Sequence, residues 1–343
     1  MRKFYLGLSL LTAMCMILLS GCGTDNVTGE SNGSSSETVK LKLGTKMPAD
    51  NPEGKAFQKF AELVKEKSDG SIIVDVYPSE QLGKGTTQIN NMLSGNQDMY
   101  AEDAVYFSDY DNRLQLSAIP FLFRDFEHFQ KFNTGPIGEE INQNLIEQNI
   151  RILNTKRNFQ RGPNRVLLSK EPVKNLKDVK DLQLRSFESK TYSDAWKHLG
   201  ASPTTVAWTE TYLALKQGTV DAVVSPSSLV SSMNFAEVAP NMTMIDEYPQ
   251  DIVLTINNEK YESLSEEQQK ILTEAANEAG EIGTKLAKDA SEEMIENLTE
   301  EEGLKTFEIN KEKWTNEMKP FFESLEDGGT LPEDIVDEIM SIE

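Results

Sequence analysis

Four arginines stand close together between Lys156 and Ser189, in KRNFQRGPNRVLLSKEPVKNLKDVKDLQLRSFES: Arg157, Arg161, Arg165 and Arg185. They do so in a chain of 343 residues whose formal net charge is -22. A guanidinium is a planar fork that stays charged at any relevant pH and meets a carboxylate with two parallel hydrogen bonds. Two apolar runs, 165–169 and 182–186, each carry an arginine at or next to a strand end, and a polar connection containing Pro172 joins them. Arginines placed by two neighbouring strands can clamp one small anion. The competing reading solvates each of them or pairs it with a nearby Asp or Glu, where an exposed ion pair contributes little.

Enzymatic chemistry finds few residues to work with. The two histidines, His128 and His198, have no second histidine at a metal-ligand spacing, so both read as structural or exposed and no metal is expected. No G-x-S-x-G elbow, P-loop or G-x-G-x-x-G occurs, and LGKGTTQ at 82–88 reads as a loop before a helix. Acidic pairs such as Glu139-Glu140 and Glu266-Glu267 read as solvated helix faces. No cofactor is expected. The acidity excludes nucleic acid, since a polyanion needs a basic face. A small anion is different, because distant surface charge is screened within about 8–10 Å and one desolvated arginine outweighs it locally.

The elements that must position these arginines alternate between strand and helix patterns. VKLKLGTKM (39–47) alternates with period two, 56–67 carries an apolar stripe at helical spacing, and SIIVDVYP (71–78) is β-branched after an Asp69-Gly70 turn. A helix at 88–93 and a strand beginning near Asp98 follow, then helices at 125–133 and 136–148 and a strand at 150–155. Beyond the arginines come helices at 189–199 and 209–217, each stopped by a glycine, and strands at 220–224 and 252–256. Ser265-Glu266-Glu267-Gln268 forms a capping box that opens a helix running to about Asn297, a length suited to an element spanning two lobes. Lys305–Ile309 reads as a last strand, before helices near 311–325 and 332–341. The rhythm predicts an α/β protein with βαβ units and mainly parallel sheets covered by helices.

The amino terminus reads as a bacterial lipoprotein signal over 1–21: Arg2 and Lys3, an apolar core at 6–19, then the lipobox Leu19-Ser20-Gly21-Cys22. Cleavage before Cys22 removes those two positive charges and no acids, taking the formal charge from -22 to -24. It also removes Cys15 and leaves Cys22 lipidated, so the exported domain has no thiol for a disulfide or for catalysis. Residues 22–37 then form a polar tether of the Gly/Ser type. The expected location is extracytoplasmic, anchored to the membrane by a lipid on Cys22.

SKEPVKNLKDVKDLQLRS (169–186), followed by LGASPTTVAWTETYLALKQGTVDAVVSP (199–226), resembles the solute-binding proteins of TRAP (tripartite ATP-independent periplasmic) transporters, the DctP family. PFLFRDFEH at 120–128, FAELVKEKSDGSIIVDVYPSEQLG at 60–83 and LSEEQQKILTEAANEA at 264–279 extend the resemblance over most of the chain beyond residue 38. It implies a two-lobed, type II-like periplasmic-binding-protein fold with crossing hinge strands and a long lobe-spanning helix. The expected lobes are 38–160 with 250–288, and 161–249 with 289–343. The implied function is capture of a small organic anion, a carboxylate or sugar acid, and its delivery by a monomer to TRAP permease subunits.

The resemblance places the family's carboxylate arginine on Arg185. The second family arginine falls on Asn164, a departure, with Arg165 beside it and Arg161 able to approach from RGPNR. The family's asparagine before proline falls on Ser225, and Ala222 replaces its glycine. Aromatic walls are expected from Trp208, with Phe187 or Tyr106, and polar partners from Glu210 and Tyr212. Glu102 and Asp103 face the cleft if the strand from 98 ends there, suiting a ligand with hydroxyls or an amine. The alternative within this class is a neutral or zwitterionic solute. Outside it, the alternatives are a secreted lipoprotein enzyme, disfavoured by the missing nucleophile–base set, and an adhesin or structural lipoprotein.

Overall fold

The period-two stretch from Val39 does form a strand, and the helical stripe after it packs on that strand. In a computed structural model, which describes residues 38–300 and 304–343, β1 is Val39–Thr45 and α1 is Pro52–Lys67. Asn51 caps α1, its Oδ1 accepting from Gly54 N at 2.7 Å, and Pro52 needs no partner for its nitrogen in the first turn. β2 (Ile72–Tyr77), α2 (Thr86–Leu93) and β3 (Met99–Asp103) follow. Then come α3 (Phe126–Thr134), α4 (Pro136–Glu147) and β4 (Ile150–Ile152). The chain next builds β5 (Arg165–Ser169), β6 (Gln183–Ser186), α5 (Lys190–His198), β7 (Ser202–Thr205), α6 (Thr211–Gln217), β8 (Ala222–Pro226) and β9 (Asn241–Met244). It ends through β10 (Ile252–Asn257), α7 (Asn258–Glu262), α8 (Glu266–Glu300), β11 (Lys305–Glu308), α9 (Lys311–Asp327) and α10 (Ile335–Ser341).

The strands form two sheets, ordered β2-β1-β3-β10-β4 and β11-β9-β5-β8-β6-β7. The expectation of mainly parallel sheets needs correction. β10 runs antiparallel to β3 and β4, and β5 runs antiparallel to β8 and β9. Each of these two strands arrives from the other sheet through a segment with no helix in it, so no local βαβ crossover dictates its direction. The remaining neighbours, β1 with β2 and β3, β6 with β7 and β8, and β9 with β11, are parallel.

The crossing segments hold each other. Gln160 and Asp251 form an antiparallel bridge, Arg161 N donates to Gln250 O at 2.9 Å, and Ile252 N donates to Phe159 O at 2.8 Å. Arg157 pairs with Asp251 across this junction, both side chains buried. α8 opens with the capping box: Gln268 N donates to Ser265 Oγ, and Ser265 N to Gln268 Oε1. Its 35 residues span roughly 50 Å at 1.5 Å per residue. It packs on α1 at one end and against the turn after β8 further along. Between these it is stapled to the crossing strand, Gln160 N donating to Thr284 Oγ1 and Thr284 Oγ1 to Asn158 O, both at 2.7 Å. Gly283 allows that approach, since a Cβ there would sit 2.4 Å from the Phe159 ring.

The first sheet buries Leu41 and Leu43 against Phe57 and Phe60 of α1 and Leu272 and Ala275 of α8. The second buries Val166, Leu168 and Val223 against Trp208, Leu215 and Met294. A third, aromatic cluster joins Phe121, Trp196 and Trp314. Each such large side chain contributes about 1.5–3 kcal/mol by leaving water. Both histidines are structural in their contacts: His128 Nε2 meets Ile339 O at 2.9 Å and His198 Nε2 meets Glu317 O at 2.8 Å. Cys22 and the segments 1–21 and 22–37 lie outside the described residues.

Candidate functional site

Arg185 sits in β6 between Thr204 of β7 and Val223 of β8, near the strand's carboxyl end. Its side chain lines a narrow, partly open cavity. Residues of the first sheet's side (Lys46, Asp103, Tyr106), of the crossing segments (Arg161, Tyr248, Gln250) and of the second sheet's side (Arg165, Phe187, Trp208) line the same cavity. The ends of parallel strands are where α/β sheets offer such space.

The charges around this cavity are nearly all matched. Arg161 lies on Glu53 through Nε at 2.6 Å and on Glu102 through an Nη at 2.7 Å. Lys46 reaches Glu102 at 2.9 Å and lies over the Tyr106 ring. Burial pushes the Glu102 carboxyl up, but Arg161 and Lys46 outweigh it and hold the group below the usual carboxylate range. Arg165 donates to Glu247 and Gln250 and lies 4.1 Å from the centre of the Tyr248 ring. Glu247 also accepts from Tyr192 Oη and Trp196 Nε1.

Arg185 differs. It is 6% exposed and has no carboxylate within ion-pair distance among the described residues. Its Nε donates to Val206 O at 3.0 Å, and its guanidinium carbon lies 5.3 Å from the Trp208 ring centre and 5.9 Å from that of Phe187. Burial, unanswered by an anion, pushes the guanidinium down from its ordinary value. Trp208 Nε1 and Tyr248 Oη are buried with no hydrogen-bond partner among the described residues. Asp103, at the end of β3, accepts from Val105 N and from Gln250 Nε2, and burial raises its carboxyl to about 6.

Arg185, Phe187, Trp208, Asp103, Arg161, Arg165 and Tyr106 therefore converge on one space. Five other candidates stand elsewhere. Glu102 lies beneath the wall, Asn164 approaches Asp246, and the Ser225 hydroxyl donates to Pro226 O. Glu210 is exposed at the mouth, paired with Lys84, while Tyr212 donates to Glu237. At that mouth Thr209 Oγ1 also donates to Glu80 Oε2 at 2.8 Å, joining the loop before α2 to the turn before α6. Sequence reasoning missed Lys46, Tyr248 and Gln250. Lys46, the charged end of an alternating strand, had a signal. Tyr248 and Gln250 lie in EYPQD, a loop in any local reading.

Residues 43–327 match the model of the bacterial extracellular solute-binding protein family 7, DctP. A solute-binding protein of Roseobacter denitrificans is 32% identical over 80% of this chain and 81% of its own length. The 2,3-diketo-L-gulonate-binding periplasmic protein of Escherichia coli K12 is 28% identical over 78% and 80%. In fold, the chain is similar to a TRAP periplasmic solute-binding protein of Chromohalobacter salexigens solved with D-glucuronate. That match has a TM-score of 0.82 and 24% identity, covering 88% of this chain and all of the other.

Proposed function

This chain belongs to the bacterial extracellular solute-binding protein family 7, DctP, and from that premise we propose that it captures a small organic acid in the cavity at Arg185 and delivers it to a TRAP permease. The single observation carrying this reading is the buried Arg185 guanidinium with no countercharge at ion-pair distance among the described residues. A ligand carboxylate supplies the missing charge, and each charge-assisted hydrogen bond contributes about 1.5–3 kcal/mol. Phe187, Tyr106 and Trp208 offer flat faces to the ligand's carbon skeleton. Relatives named for 2,3-diketo-L-gulonate or solved with D-glucuronate make a sugar acid the favoured ligand.

In this reading Arg161 and Arg165 shape the wall rather than clamp the anion, since Glu53, Glu102 and Glu247 already neutralise them. The lobes 38–160 with 250–288 and 161–249 with 289–343 close on the ligand about the paired crossing segments, excluding water. A lipid on Cys22 and the tether 22–37 keep the domain near its permease, raising the effective concentration. Fatty-acid labelling of cells should mark wild-type protein and not Cys22→Ser; label in both would remove the anchor. Native mass spectrometry of the purified protein, then calorimetry with a panel of hexuronates and aldonates, tests the function. Binding of a sugar acid that Arg185→Ala abolishes is expected, and a panel with no binder would overturn the proposal.

A further inference from the structure

Matching every buried charge around the cavity leaves two groups over. Arg157 takes Asp251, Arg161 takes Glu53 and shares Glu102 with Lys46, and Arg165 takes Glu247. Arg185 remains on the cationic side. On the acidic side Asp103 remains, 2% exposed, with no cation at ion-pair distance among the described residues. Both line the same cavity. Asp103 accepts two hydrogen bonds, from Val105 N at 3.1 Å and from Gln250 Nε2. A carboxylate has about four acceptor positions, so two remain for donors on a ligand.

We propose that Asp103 is the specificity determinant of this site: it accepts hydroxyl donors from a polyhydroxy monocarboxylate whose carboxylate is on Arg185, and it repels a second carboxylate. This rests on the sugar-acid reading above and narrows it. A diacid would place an anion beside a buried acid that no cation reaches at ion-pair distance among the described residues, where water cannot screen the repulsion. An amino acid would also satisfy both charges. Its ammonium, however, brings no acceptor to Trp208 Nε1, which is buried with no partner among the described residues, whereas a hydroxyl both accepts and donates.

The repulsion is titratable. Around Asp103 stand Arg161, which favours its charged form, and Asp251, which opposes it. Lys46, just past the adjoining strand β1, its partner Glu102, the residue before Asp103 in β3, and the hydroxyls of Tyr106 and Tyr248 complete its surroundings. Burial dominates these, and the group titrates near 6. Ligand carboxyls titrate near about 4, so at pH 5 a diacid is still largely charged while Asp103 is mostly neutral.

The test is calorimetry of monoacids against their diacid counterparts: D-gluconate and D-glucuronate against D-glucarate, and D-galactonate against galactarate. At pH 8 the wild type should prefer the monoacid by about 100-fold or more. At pH 5, with no substitution needed, that preference should fall about tenfold. Asp103→Asn, which keeps the bond from Val105 N, should show the reduced preference at both pH values. An Arg185-dependent acid whose preference moves with neither pH nor Asp103→Asn would overturn this inference alone, as would an amino acid as the tightest ligand. Failure of every acid to bind would overturn the anion reading and this inference with it.

Discussion

Replacing Arg185 by Ala should affect ligand binding and protein stability in different ways. Without ligand, the substitution removes a buried charge that has no carboxylate partner among the described residues, together with one hydrogen bond to Val206 O. Burial already disfavours the charged form there, so the losses of that bond and of contact with Trp208 are offset. The net change should stay within about 1 kcal/mol. With ligand, a carboxylate about 4 Å from a unit charge at an effective dielectric of about 20 interacts by about 4 kcal/mol. Removing one partner of such a pair costs about 3–5 kcal/mol, which raises Kd by roughly 10² to 10³-fold or more. Arg165→Ala is the control with the opposite profile. It strands Glu247, which keeps Tyr192 and Trp196 as donors, so destabilisation of about 3 kcal/mol is expected, the low end of that range. Urea unfolding without ligand and calorimetry with the identified acid measure the two effects. An unchanged Kd in Arg185→Ala, or a loss of stability equal to that of Arg165→Ala, would refute the reasoning.

Gly283→Ala should force α8 away from Phe159, where a Cβ would approach the ring to 2.4 Å. The expected destabilisation is about 1–3 kcal/mol in urea unfolding, and wild-type stability would show that the crossing strand yields freely. Lys84→Ala removes the exposed ion pair to Glu210 at the cavity mouth. Such solvent-screened pairs contribute little, so stopped-flow release of ligand should quicken by at most about fivefold. A larger change would mean that the loop before α2 closes the site by more than this contact.

The elements that local patterns specify were legible. Period-two alternation at 39–45, the Ser265–Gln268 capping box and the glycine stops after α5 and α6 depend on residues a few positions apart, and they fold as read. Strand direction was not, because β5 and β10 take theirs from the sheet they join rather than from a neighbouring helix. In the site, Arg185, Phe187 and Trp208 were readable from the family motif and do line one cavity. The state of Arg161 was not readable. Its partners Glu53 and Glu102 lie 108 and 59 positions away, and Glu53 looks like an ordinary acid in the first turn of a helix. A sequence this rich in acids shows that carboxylates are plentiful, but not which arginine is left without one.

In the proposed reading, that leftover charge also accounts for how a strongly acidic protein favours an anion and responds to its arrival. Had the cavity kept Arg161, Arg165 and Arg185 all unmatched, their mutual repulsion in a water-poor space would oppose closure and leave their positions loose. Tying two of them to buried carboxylates fixes the wall and confines the unmet positive charge to one guanidinium. Burying that guanidinium alone is unfavourable, so the empty protein gains less from closing over it than the liganded one does. A carboxylate on Arg185 reverses the sign of this contribution, and a ligand shifts a conformational equilibrium only by such a difference between states. A neutral sugar of the same shape would fill the cavity and still leave the charge unmet. In that proposed reading the countercharge, more than the shape, is what couples binding to closure.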